Sequence, residues 1–161
     1  MSKKKIIIFF LLTSIIFFID RISKNYILNI VETEGNVDII INSFLSLILV
    51  WNTGIGFGLL SFDQSSIYNL ITLMIAGINL VIIYMIIKTN DIRAYFLIMV
   101  LGGSIGNLFD RFYYSAVPDF IDVYYREFHW FIFNVADIFI TIGIICLIFV
   151  ELMNYKNNNE N

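Results

Sequence analysis

With 161 residues, 59% of them hydrophobic and only 14% charged, the chain carries more apolar surface than one small water-soluble core can bury. The length allows one domain, and the net charge of −3 specifies no partner. The ten Lys and Arg form no basic face for nucleic acid, and a single cysteine excludes a disulfide framework. Lipid is the solvent this composition calls for. Cys146, inside an apolar run, reads as a small buried hydrophobe.

Four apolar segments, at about 6–28, 67–87, 94–110 and 131–152, are near the roughly 17–25 residues that cross a bilayer as a helix. They must be helical, because lipid offers the backbone no hydrogen-bond partners. The first segment begins like a secretion signal, with Lys3-Lys4-Lys5 before an apolar run. No small-x-small cleavage site follows it; Asp20, Arg21 and Lys24 do, so it reads as a retained span. After it, Glu32, Glu34, Asp38 and Asp63 read as solvated loop charges. Residues 38–57 mix Ile, Val, Phe, Leu and Trp with Asn, Ser and Thr, a strand-like composition. Gly54, Gly56 and Gly58 signal turns or close backbone approach. In span three, Gly102 and Gly106 form a small-xxx-small pair, a mark of close helix packing. Residues 112–133 are rich in Tyr, Phe and Trp, which suits a water–lipid boundary, with Arg126 as an interfacial anchor. The tail, about 156–161, reads as disordered, and no internal repeat is visible. The expected fold class is mainly α: a polytopic membrane protein with four transmembrane helices, a small β-element and an interfacial segment on the outer face. All of it forms one membrane-embedded domain, 1–161.

Basic residues set the expected orientation. Lys3, Lys4, Lys5, Lys88, Arg93 and Lys156 flank the spans on one side and make up six of the ten basic residues. Residues 25–66 on the other side have no Lys or Arg. Both termini are therefore expected in the cytoplasm, with the two larger extramembrane parts facing outward.

Charged groups inside a span are costly, about 2.5–3.5 kcal/mol each on insertion scales, and are functional suspects by default. Here they are Asp20 with Arg21, Asn107 with Asp110 and Arg111, and Asn134 with Asp137. The topology brings all three clusters to the outer leaflet, beside Asp119 on the outer link. Asp137 is expected about six residues into its span, hence about 9 Å deep. Asn107, Asp110 and Arg111 share a helix face, and Arg111 can form an ion pair with Asp110 or Asp20. Asp122, three residues from Asp119, reads as a structural or supporting acid. His129 is the only histidine and has no second imidazole or thiolate at ligand spacing, so no metal site is expected. Asp119 and Asp137 are 18 residues apart, so only the fold can pair them. Two carboxylates so paired cannot both ionise cheaply; one acts as general base and the other, protonated, as general acid. That is the aspartic protease division of labour, one of several readings open at this point.

Five stretches carry a resemblance that narrows the choice. They are Asp20-Arg21-Ile22-Ser23-Lys24, Asn52-Thr53-Gly54-Ile55-Gly56-Phe57-Gly58, Gly102-Gly103-Ser104-Ile105-Gly106-Asn107-Leu108-Phe109-Asp110-Arg111, Val117-Pro118-Asp119-Phe120-Ile121-Asp122 and Phe133-Asn134-Val135-Ala136-Asp137. In this order, on four spans, the chain resembles lipoprotein signal peptidase (signal peptidase II) over nearly its whole length. The resemblance implies a multi-pass enzyme of the bacterial inner membrane, an aspartic endopeptidase without cofactor or metal. Its implied catalytic pair is Asp119 and Asp137, supported by Asp20, Asn52, Asn107, Asp110, Arg111 and Asn134. The implied substrate is a lipoprotein precursor whose cysteine already carries a diacylglyceryl group, cut just before that cysteine. Membrane lipid is its other partner, and the enzyme is taken as a monomer. The chain departs from the family's usual pattern at Arg21, where Gln is common, and at Ile55-Gly56, where Ala-Ala is common. A transporter or proton pathway would need polar residues through the full membrane depth, but the inner halves are almost wholly apolar apart from scattered residues such as Thr13, Ser14 and Asn79. A non-catalytic scaffold gives no reason for acids to collect in one leaflet.

Overall fold

The computed structural model describes residues 3–54 and 65–159. Its elements, in chain order, are α1 (Lys3–Glu34), β1 (Asp38–Asn42), β2 (Leu45–Asn52), α2 (Ser65–Lys88), α3 (Arg93–Tyr114), β3 (Val117–Tyr125), β4 (Phe128–Phe133) and α4 (Val135–Asn159). Helices α1, α2 and α4 contain segments long and apolar enough to cross a membrane. Their outward faces carry large apolar side chains such as Phe10, Leu80, Tyr84 and Phe149, each more than half exposed. Such faces are stable against lipid and not against water.

Helix α3 is built differently. Its 22 residues include Gly102, Gly103, Ser104, Gly106, Asn107, Asp110 and Arg111, which lower its hydropathy. It can carry them because it packs against α1, α2 and α4 and so faces protein on most sides. The glycines make this possible. A Cβ at Gly102 would stand 2.8 Å from the Cβ of Ile16, and one at Gly106 would stand 2.6 Å from Oδ2 of Asp20, so the small-xxx-small pair is the seam with α1. Gly103 faces the other way, with its α-carbon against the carbonyl of Ala136 in α4.

Two ends of the bundle are distinct. At one, the Lys5 ammonium donates to the Thr89 carbonyl (2.9 Å) and to Asn90 Oδ1 (2.9 Å). There, too, Arg93 pairs with Glu151 at 3.1 Å. The start of α1, the α2–α3 link and the late part of α4 therefore meet. At the other end lies an antiparallel sheet of order β1-β2-β3-β4. Ser115, in the left-handed region at φ 58, ends α3 and turns the chain into β3. Pro118, paired with Trp51 of β2, lies where β3 has a neighbour on one side only, since β4 joins from Ile121 onward. A proline without an N–H is tolerated there.

Several boundaries differ from the sequence reading. Residues 112–133, read as an interfacial segment, finish α3 and supply half of the sheet. Phe131 and Phe133 belong to β4, so the fourth helix starts at Val135, and Asp137 stands in its first turn instead of six residues deep. The apolar strand runs directly into the apolar helix, and hydropathy alone cannot separate them. Helix α1 reaches Glu34, so Glu32 and Glu34 are exposed helical residues and not loop charges. The tail read as disordered from about 156 is helical to Asn159. Cys146 is half-buried. Gly56, Gly58, Ile55 and Asp63 lie outside the described residues.

Candidate active site

The fourth helix begins with a reciprocal cap. Asn134 Oδ1 accepts the Asp137 N–H at 3.2 Å, and Asp137 Oδ2 accepts the Asn134 N–H at 3.2 Å. Asp137 is thus the third residue of the helix, at the positive end of its dipole. The amide between them, on Ala136, donates to Oδ1 of Asp20 at 3.0 Å. Ala136 is fully buried, and its carbonyl lies where a Cβ at Gly103 would stand. The spacing Asn134-Val135-Ala136-Asp137 follows from this packing: cap, helix start, close contact, acid.

Asp119 comes from β3 and is 2% exposed. Asn134 Nδ2 donates to its Oδ1 at 2.5 Å, and Asn52 Nδ2 to its Oδ2 at 2.8 Å. Asn134 therefore touches both acids. Asn107 Nδ2 donates to Asp137 Oδ1 at 2.8 Å. All three asparagines are oriented the same way: each carbonyl is occupied by an N–H, which turns the NH₂ toward a carboxylate. Asn52 Oδ1 accepts the Gly54 N–H (2.9 Å), Asn134 Oδ1 that of Asp137, and Asn107 Oδ1 the Lys24 ammonium (2.8 Å). Asp119 and Asp137 line one cavity of about 240 Å³ together with Asn52, Asn107, Arg111 and Thr141. Burial, and after it the neighbouring Asp137, push the Asp119 carboxyl up to about 7.

Beneath this cavity lies a charge cluster of α1 and α3. Lys24, Asp20 and Asp110 are all fully buried. The Lys24 ammonium donates to Asp20 Oδ2 (2.9 Å), Asp110 Oδ2 (2.7 Å) and Asn107 Oδ1, so all three protons are used. Arg21 donates to the same two acids, at 3.0 Å and 2.8 Å, with its guanidinium over the Phe109 ring. Two acids face two bases, which is how a buried ionic group becomes tolerable. Asp110 therefore pairs with Lys24 and Arg21, and not with its neighbour Arg111. Arg111 points the other way: its Nη2 donates to the Gly54 carbonyl, its Nη1 to the Asn107 carbonyl at 3.4 Å, and its buried Nε has no partner among the described residues.

The residues singled out in sequence thus divide clearly. Asp119, Asp137, Asn52, Asn107 and Arg111 line the cavity, Asn134 is hydrogen-bonded to both acids behind it, and Asp20 and Asp110 lie in the ion cluster beside it. Asp122 is directed elsewhere, because an odd spacing along β3 turns it to the opposite face from Asp119. It accepts from Ser46 Oγ at 3.1 Å and pairs with His129 Nδ1 at 2.7 Å. Lys24 is the buried charge beside the cavity that sequence reasoning passed over. Its signal was available: a lysine four residues after Asp20 in an apolar helix, on the same face.

Comparison with known proteins gives a consistent result. The family model described as signal peptidase (SPase) II matches residues 12–153. The lipoprotein signal peptidase of Pelagibacter ubique is 54% identical over 147 residues, covering 91% of this chain and 89% of the relative. That of Anaplasma phagocytophilum is 36% identical over 158 residues, covering 97% and 99%. A solved bacterial membrane enzyme, determined by the in meso method at 2.3 Å, superposes with a TM-score of 0.72 at 28% identity, covering 93% and 90%. With a buried two-aspartate cavity at one end of a membrane bundle and a family match over most of its length, the chain belongs to the signal peptidase II family of membrane peptidases.

Proposed function

We propose that this chain is an aspartic endopeptidase that removes the signal peptide from diacylglyceryl-modified lipoprotein precursors, with Asp119 and Asp137 as its catalytic pair. The observation that carries this reading is one cavity lined by two buried carboxylates that share Asn134 as a hydrogen-bond partner. Asp137, at a helix N-terminus, is the carboxylate suited to remain ionised and to take a proton from water. The water oxygen attacks the scissile carbonyl carbon. Asp119, whose carboxyl holds its proton up to about pH 7, gives that proton to the carbonyl oxygen. Breaking the C–N bond then returns a proton to the leaving amine. Nothing but water is consumed.

Asn52, Asn107 and Asn134 hold the carboxylates, and Asp20 and Asp110 hold the helices that present them. Arg111 lines the cavity with a buried Nε that has no partner among the described residues, and it is suited to hold a substrate backbone carbonyl. Cleavage falls on the N-terminal side of the lipidated cysteine, and the enzyme works as a monomer in the bacterial inner membrane. Both termini are cytoplasmic, a reading supported by the six basic residues of the spans' flanks on one side. A lipidated cysteine at the head of a membrane-spanning signal sits at the outer boundary, level with such a cavity.

The test is cleavage of a diacylglyceryl-modified precursor by purified full-length protein. Asp119→Asn and Asp137→Asn keep side-chain size and remove proton exchange. Each should lower the rate by about 10²–10⁴-fold with protein level and precursor binding retained, and the double variant should be little worse. Near-normal cleavage by either single variant would falsify the assignment of the pair.

A further inference from the structure

The face of the sheet opposite Asp119 holds a second ionisable cluster, built on Asp122. This carboxyl group is 1% exposed, and its Oδ1 has no partner among the described residues. Its Oδ2 accepts from Ser46 Oγ on β2 at 3.1 Å and meets His129 Nδ1 on β4 at 2.7 Å. An ionised carboxylate only accepts, so Nδ1 carries the hydrogen of that bond. The His129 ring lies against Tyr124 with centroids 5.4 Å apart, and the Tyr124 hydroxyl donates to the Asn42 carbonyl of β1 at 2.9 Å. One run of side-chain contacts thus crosses all four strands.

The Asp122–His129 contact stands where the backbone ladder is irregular. Val123 pairs with Phe131 but Tyr124 pairs with His129, so Trp130 is the extra residue of a bulge in β4. Asp122, opposite Ile132, and His129 lie on either side of that bulge. The ladder is locally disrupted at a bulge, and a slip of one residue moves a strand by about 3.3 Å. Strand β4 runs straight into Asn134, whose amide donates to Asp119 Oδ1 at 2.5 Å. A slip of that size breaks this bond. Strand β3 carries one partner of the bond and β4 leads into the other, and the Asp122–His129 pair is a side-chain tie between the two strands.

We propose that, with Asp119 and Asp137 as the catalytic pair, Asp122 and His129 are positioning residues for cleavage: their contact holds β3 and β4 in register across the bulge and so keeps Asp119 on Asn134. Neither residue lines the carboxylate cavity; both act through Asn134. Burial and the neighbouring Asp137 raise the Asp119 carboxyl, whereas the amides of Asn52 and Asn134 lower it. Releasing Asn134 removes one of those amides, so Asp119 keeps its proton to higher pH. The other charged groups acting on Asp119 are Lys24 of α1 and Arg111 of α3, and both lie away from the hairpin. His129 itself faces Asp122 and Tyr124, while Arg126 and Glu127 in the β3–β4 turn are exposed.

The test is cleavage of a diacylglyceryl-modified precursor by the full-length protein, followed against pH and substrate concentration. His129→Ala should lower kcat by about 10- to 100-fold through misplacement of the acids, with KM within about twofold because the cavity lining is untouched. The alkaline limb of its pH profile should move to higher pH. His129→Asn, which keeps an N–H near the place of Nδ1, should restore most of the rate and the limb. Asp122→Asn/His129→Ala removes the buried charge together with the tie, so it leaves no lone carboxylate to prevent folding, and it should be as slow as His129→Ala. Near-normal kcat in either variant bearing alanine, beside an inactive Asp119→Asn, overturns the proposal. So does an unmoved alkaline limb, or a failure of His129→Asn to restore the rate, since either marks general destabilisation. Normal cleavage by Asp119→Asn would remove the catalytic pair itself, and the positioning role with it.

Discussion

Lys24 has all three ammonium protons committed, to Asp20, Asp110 and Asn107, and is fully buried. Through Asn107 it fixes which end of that amide faces Asp137. Lys24→Met keeps the bulk of the stem and leaves two buried acids with only Arg21. Breaking such a network costs about 3–5 kcal/mol, so a large loss of thermal stability is expected along with slower cleavage. Arg21→Gln, which restores the residue common in the family, should be the milder change; thermal unfolding of both in detergent decides the order. Asp119 gives the residue scale a pH dependence. Its ordinary value is near 4 and its folded value about 7. Between these the folded protein holds a proton that the unfolded chain has released, so stability falls as pH rises through about 4–7. Above about 7 the general acid is lost, and the cleavage rate should decline there. Unfolding midpoints from pH 4 to 8 should slope downward, and the slope should flatten in Asp119→Asn. The two aspartates were legible in sequence from their motifs and from the cost of acids near lipid. The pairing of Asp110 was not, because adjacent residues on a helix point in different directions, and only the packed α1 shows which cation Asp110 meets.

At the scale of elements, glycine separates contact from filler. Gly103 packs its α-carbon on the Ala136 carbonyl, while nothing lies within 4 Å of where a Cβ at Gly77 would stand. Gly103→Ala must push α4 away, because the obstacle is backbone; overpacking of this kind costs about 1–3 kcal/mol. It would also shift Asp137, one residue from the contact, so activity should fall with stability. Gly77→Ala should be neutral or slightly stabilising in the same melting experiment, since Gly is the weaker helix former. Equal behaviour of the two variants would remove close packing of α3 on α4 as the basis of the site. The four helices were readable because each must satisfy its own backbone in lipid. The start of α4 was not read correctly: the strand Phe128–Phe133 is as apolar as the helix after it. Asn134 with Asp137 three residues later was the available start signal, a cap that hydropathy windows average away.

For the whole molecule, the arrangement depends on α3 being enclosed. Three helices face lipid with apolar side chains, and the fourth spends that protection on glycines, Asn107, Asp110 and Arg111. This fixes one polar end, capped by a sheet that brings Asp119 over Asp137. The opposite end holds the start of α1, the α2–α3 link and the late turns of α4, with Lys3, Lys4, Lys5, Lys88 and Arg93. Short basic flanks stay in the cytoplasm, so this end is expected there and the carboxylate cavity outside. A reporter active only in the cytoplasm, fused after Lys156, should be active. The same reporter inserted at Glu34, at the exposed end of α1, should be silent. The two fusions test the arrangement from both ends, because α1 alone separates Lys3 from Glu34. The reverse pattern would turn the acids toward the cytoplasm, away from precursors whose lipidated cysteine lies at the outer boundary, and the proposed reaction would lose its substrate.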